Sequence, residues 1–213
     1  MGTVRGSLKA EPSPQAADLG HMKGAPVGEF LNWYAEAVDR PRLLAVLREL
    51  DGTWPNRFDA TRDTFGLLAS AWYPAGLVHE LIDRVLAGYD ERKQHELAQA
   101  AADFIMGRTL RGVYKVMFSM FATPERYARH ISKLWAQHYD TGLPVVRIVA
   151  ANEHHIRFDG WTSHHPFICA MNMSSARPIY RAMKCSDVTW RRVSCVSHGG
   201  DVCAAVVRWT ARG

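Results

Sequence analysis

The chain has 213 residues, 47% of them hydrophobic, which is enough for one well-buried domain. Its net charge is +5, from 26 basic and 21 acidic residues. No Lys/Arg-rich run stands out, so a nucleic-acid partner is not expected. No stretch approaches the roughly 18 consecutive apolar residues of a membrane span.

All four cysteines, Cys169, Cys185, Cys195 and Cys203, fall in the last 45 residues. They are too few and too clustered for a secreted disulfide framework, and the first residues lack the apolar core of a signal peptide. A reducing, cytoplasmic setting is expected. Residues 1–21 read as a flexible tail and residues 22–213 as a single domain.

After the tail, Phe30, Leu31 and Tyr34 recur at helical steps, and Pro41 opens a second helix through Leu43, Leu44 and Leu47, closed by Asp51-Gly52. Tyr73-Pro74 starts a better-patterned helix. There Leu77, Leu81, Val85 and Val78, Ile82, Leu86 form two adjacent ladders ending at Gly88. Residues 92–106 read as a further helix. Val113, Val116, Met117, Met120 and Phe121 make a strongly apolar helical face. Thr123-Pro124 is an N-cap and N1 pair for a helix carrying Tyr127, Ile131, Leu134 and Trp135.

From Leu143 the period becomes two. Val145–Val149 with Ile156–Phe158, and Val193–Ser197 with Val202–Val207, predict two hairpins, with a helix from Ser174 to Lys184 between them. The fold class is α+β: an N-terminal helical layer packed on a C-terminal antiparallel sheet with one intervening helix.

If the loop of the second hairpin is odd in length, Cys195 and Cys203 oppose one another across the ladder. With Cys169 they could then supply three ligands of a tetrahedral metal site, with His198 or Cys185 as the fourth. The competing reading is three small buried hydrophobes. Other chemistry lacks a signature. His79-Glu80 begins like a zincin helix, but Asp83 stands where the second histidine belongs, and no nucleophile elbow, P-loop or dinucleotide fingerprint occurs. His154-His155 and His164-His165 are adjacent, so neither pair chelates as a unit in extended chain. Both are expected to face solvent.

Phe167-Ile168-Cys169, then a helix, then Arg192-Val193-Ser194-Cys195 and Gly199-Gly200-Asp201-Val202-Cys203 resemble the end of V4R (4-vinyl reductase) domains. These share a fold with haem-NO-binding domains and with Bet3-like subunits of a vesicle-tethering complex. Met22-Lys23-Gly24, Trp72-Tyr73-Pro74 and Phe104-Ile105-Met106-Gly107 resemble the opening of haem-NO-binding domains. Over roughly residues 22–210 the order of motifs looks closest to DUF2378, a myxobacterial paralogous family. In V4R sensor domains three cysteines in this order bind zinc with a glutamate three residues before the second. Here Arg192 occupies that position and cannot ligate.

The resemblance also raises haem. The axial-histidine position falls on Trp135, His130 and His138 read as boundary residues, and no Tyr-x-Ser-x-Arg cluster occurs. No cofactor is therefore expected, zinc is the alternative, and haem is disfavoured. The reading is a non-enzymatic sensing or protein-interaction module. An apolar pocket lined by Tyr114, Met117, Met120, Phe121, Trp135, Phe158 and Met171 would take a hydrophobic small molecule. The chain would work as a homodimer with a protein partner. A zinc-stabilised scaffold and a haem-based gas sensor are the alternatives.

Overall fold

The computed structural model describes residues 19–110 and 123–211. The helical half opens with a short strand, β1 (His21–Lys23), which pairs antiparallel with β2 (Trp72–Pro74). Three-residue strands are too short to show a period, which is why the pattern of residues did not expose them. Between them run α1 (Gly24–Tyr34), a π-helical stretch over Ala35–Asp39, and α2 (Arg40–Leu50). Gly24 is required at the start of α1, because a Cβ there would collide with the Leu68 carbonyl. The Asp39 carboxylate accepts the Arg42 N–H at 2.9 Å and caps α2, with Pro41 in the first turn.

Helix α3 (Ala75–Leu86) buries Val78, Leu81, Ile82, Val85 and Leu86 of the ladders read from spacing and leaves Leu77 half-buried. The Asp90 side chain caps α4 (Glu91–Thr109) by accepting the Lys93 N–H at 2.7 Å. Thr123 does the same for α5 (Pro124–Trp135), as its Thr-Pro signal implied. Residues 113–121, read as an apolar helical face, fall outside the described residues.

The second half is a four-stranded antiparallel sheet built from β3 (Leu143–Ala150), β4 (Glu153–Asp159), β5 (Cys185–Ser194) and β6 (Cys203–Ala211), in the order β3-β4-β6-β5. This is the expected α+β arrangement. Two details differ. The expected single helix is two, α6 (Pro166–Ser174) and α7 (Ala176–Ala182), joined at Ser175. Strand β5 begins eight residues earlier than its valines indicated, because polar Thr189, Arg191 and Arg192 mask its alternation. Seven of the nine residues of α6 are buried, so it is a central helix, packed on α4 with the sheet beside it. Among the described residues, no helix is long and apolar enough to cross a membrane.

Candidate ligand cavity and thiol cluster

A cavity of about 620 Å³ lies between α1, α4, α5, α6, α7 and the inner face of the sheet. Ile105, Tyr127, Ile131, Trp135, Phe158 and Met171 form much of its wall. Three of the expected pocket residues, Trp135, Phe158 and Met171, therefore line it. Tyr114, Met117, Met120 and Phe121 lie outside the described residues. The volume is of the size that holds small-molecule ligands.

Trp135 is fixed on all sides. Its Nε1 donates to the Thr141 carbonyl at 2.8 Å, and its ring stacks on Tyr139 at 3.9 Å and 17°. Phe158 and Trp161 pack against it with ring centroids at 4.8 and 5.0 Å. Thr141 is itself tied to Ser163 through their hydroxyls at 2.7 Å.

His138 follows Trp135 by three residues and also lines the cavity. Its carbonyl accepts the Lys23 N–H at 2.9 Å, which anchors its backbone to β1. Its Nδ1 is buried and has no hydrogen-bond partner among the described residues. Burial, and secondarily the Lys23 charge, hold its pKa below the ordinary histidine value. The ring is neutral near pH 7 and keeps a lone pair. The boundary placement read from sequence holds for the residue as a whole, which is half-buried, while its Nδ1 is shielded. At the cavity mouth Arg108 pairs with Glu29 and with Glu36, each at 3.4 Å.

A second cluster sits where α6 meets the β5–β6 end of the sheet. Cys169 lies in the buried face of α6, Cys195 directly follows β5, and Cys203 opens β6. Cys195 Sγ is 3.9 Å from Cys169 Sγ, 3.5 Å from Cys203 Sγ and 3.6 Å from His164 Nε2. Four ligand atoms, one from each residue, all lie within 4.8 Å of one another. All three thiols are buried. Hydrogen bonding from Cys169, aided by His164, pulls the Cys203 thiol well below its ordinary pKa despite burial. The same pairing and burial push Cys169 up.

His198 is not in this group. It is half-exposed, with Nδ1 3.2 Å from the Ser197 hydroxyl and Nε2 3.1 Å from Glu91. His164 takes the fourth corner instead. The one sequence cue for it was its position just ahead of the helix that carries Cys169. Cys185 opens β5, and a ten-residue strand of about 33 Å separates it from the cluster.

The expectation that both histidine pairs face solvent is corrected for three of their four members. His154 is fully buried, its Nδ1 2.6 Å from the Tyr180 hydroxyl and its ring against Trp209. Its neighbour His155 is exposed and pairs with Glu153 at 2.7 Å, so the two do point to opposite faces. His165 is buried and caps α6 by accepting the Phe167 N–H, while its Nε2 lies 3.0 Å from Asp83. His164 is half-buried at the thiols.

No protein-family model and no curated protein matches the chain. Solved structures do. The chain is similar in fold to an Fe(II) unliganded H-NOX protein from K. algicida, with a TM-score of 0.59 and 11% identity over 90% of this chain and 98% of that one. An H-NOX protein from S. oneidensis in the Fe(II)NO ligation state matches with a TM-score of 0.60 and 11% identity, covering 89% of this chain and 99% of that one. A third match, with a TM-score of 0.58 and 8% identity over 88% and 99%, concerns haem redox potential modulated through protein-induced porphyrin distortion. At these identities the likeness establishes a haem-NO-binding-like fold. It also corrects one expectation: a chain with no cofactor, and haem disfavoured, does not stand against structural neighbours of this kind.

Proposed function

We propose that the chain is a ligand-sensing module whose interior cavity holds a planar, mostly apolar group of the haem class. The observation that carries this is the cavity of about 620 Å³, mostly apolar in its wall, with His138 among its lining residues. Among the described residues the His138 ring has a buried Nδ1 without a partner, and an unpaired buried polar atom costs about 1–3 kcal/mol. The walls fit as well. Trp135, Phe158, Ile131 and Met171 offer flat and adaptable apolar contact. Burial keeps the Tyr127 phenol protonated far above pH 7, so it remains a hydrogen-bond donor. Arg108 lines the mouth, where a ligand carboxylate would have to compete with Glu29 and Glu36 for its guanidinium. Bound haem supplies an iron centre able to take a diatomic gas. The chain's own residues orient it, exclude water and offer a neutral imidazole.

The reading is non-enzymatic. Occupancy shifts the packing of α5 and α6, and a protein partner reads that shift in a cytoplasmic homodimer. The exposed apolar side chains Leu143, Val145, Ile148 and Val149 on edge strand β3 support an interaction surface. The order of motifs supports kinship with DUF2378. The test is an absorbance titration of the purified protein with haemin. A saturating shift of the main haem band at one equivalent, lost in His138→Ala, is the expected result. A spectrum indistinguishable from haemin in buffer overturns the reading.

A second reading is favoured by the four converging ligand atoms. Zinc held by Cys169, Cys195, Cys203 and His164 would clamp α6 to the β5–β6 corner, as closed structural sites do. Elemental analysis would give one zinc per chain, and a metal-free protein of unchanged stability after chelation would count against it.

A further inference from the structure

Arg192 stands where the V4R-like pattern has a metal-binding carboxylate, and its side chain serves a different place. A second, open pocket of about 490 Å³ lies between α4, α7 and β5. It is lined by His95 and Gln99 from α4, Arg177 from α7, and Trp190, Arg191 and Arg192 from β5, and no carboxylate is among its lining residues. Among the described residues, none of these three arginines forms an ion pair, whereas Arg108 at the first cavity pairs with Glu29 and Glu36.

Two details point to a missing acceptor. The Arg192 Nε is buried and unpartnered among the described residues. A buried guanidinium N–H without a partner is costly and calls for an ion or ligand that supplies one. His95 Nε2 lies 3.0 Å from Gln99 Nε2, so the amide N–H donates to that ring nitrogen and the imidazole N–H is left on Nδ1. The pocket therefore presents guanidinium and imidazole donors and few acceptors. Trp190, 6.1 Å from the His95 ring, adds a flat apolar wall.

We propose that this pocket is a binding site for a phosphate-type oxyanion, free or carried on a small molecule with a flat ring. Planar guanidinium forks match the several acceptor oxygens of phosphate, and paired forks fix it more strongly than a neutral donor does. The site is separate from the cavity and from the thiol cluster, so its failure leaves both readings intact.

Isothermal titration calorimetry on the full chain at low salt tests this with two probes, inorganic phosphate and adenosine monophosphate. Saturable one-to-one binding of either is expected. Tighter binding of the nucleotide identifies a phosphorylated ring compound, and equal binding identifies phosphate alone. Arg192→Gln and Arg177→Gln should each weaken binding about tenfold, while Arg147→Gln on exposed β3 leaves it unchanged. If Arg192→Gln fails to fold by circular dichroism, Arg177→Gln carries the test. No saturable heat with either probe, or wild-type affinity in the folded arginine variants, overturns the proposal.

Discussion

Single side chains in this protein carry chemistry that their neighbours do not share. His154 and His155 are consecutive, yet one is sealed against Tyr180 and the other lies in solvent. Burial holds the His154 pKa below its ordinary value of 6.5. Below about pH 6.5 the unfolded chain takes up this proton and the folded chain resists it, so stability is lost as pH falls from 6.5 toward the folded value. His154→Gln keeps a hydrogen-bonding partner for the Tyr180 hydroxyl but cannot titrate. Its melting temperature should fall less steeply than wild type between pH 6.5 and 5, and parallel curves would contradict this. At the thiols, Cys169→Ser should release zinc and lower the melting temperature in zinc-replete buffer. After chelation the variant and wild type should converge. A difference that persists without metal would make Cys169 a packing residue only.

Among the elements, α5 shows how a local signal becomes part of a site. The Thr123 hydroxyl accepts the Arg126 N–H at 3.3 Å, and Pro124 follows in the first turn. Thr123→Ala should cost about 1 kcal/mol, read as a fall of about 2–4 °C in melting temperature. No change would mean that the cap is not holding the helix. Past the helix end, Gly142 adopts φ +82, and a Cβ there would meet Trp161 at 3.0 Å. Gly142→Ala should therefore cost more than the cap, because strain and crowding act together, and should disturb the Trp161 contact that steadies Trp135. These elements were legible because caps, prolines and apolar ladders are local. Strands β1 and β2 were not, since three residues cannot display a period. Nor was the full length of β5, whose outward polar residues conceal the buried Val188. His138 and His164 lie outside any regular element, one just past a helix and one just before it. Their half-buried positions come from tertiary packing, which leaves no spacing to read.

At the scale of the whole molecule, the described helices and sheet share a large apolar core and border a cavity of about 620 Å³. The apolar residues lining it looked in sequence like ordinary interior, because wall and filler have the same composition. Only the gap between layers separates them. Ala205, on the inner face of β6, lines that space. Ala205→Phe should fill part of it, abolish uptake of a large planar ligand and leave the fold intact by circular dichroism. Retained uptake would place the ligand elsewhere. The most direct measurement is native mass spectrometry of the purified chain after incubation with one equivalent of haemin. The expected spectrum shows each polypeptide carrying one haem, with His138→Ala returning to the haem-free mass. Wild-type protein that stays at the haem-free mass under the same conditions would contradict the account.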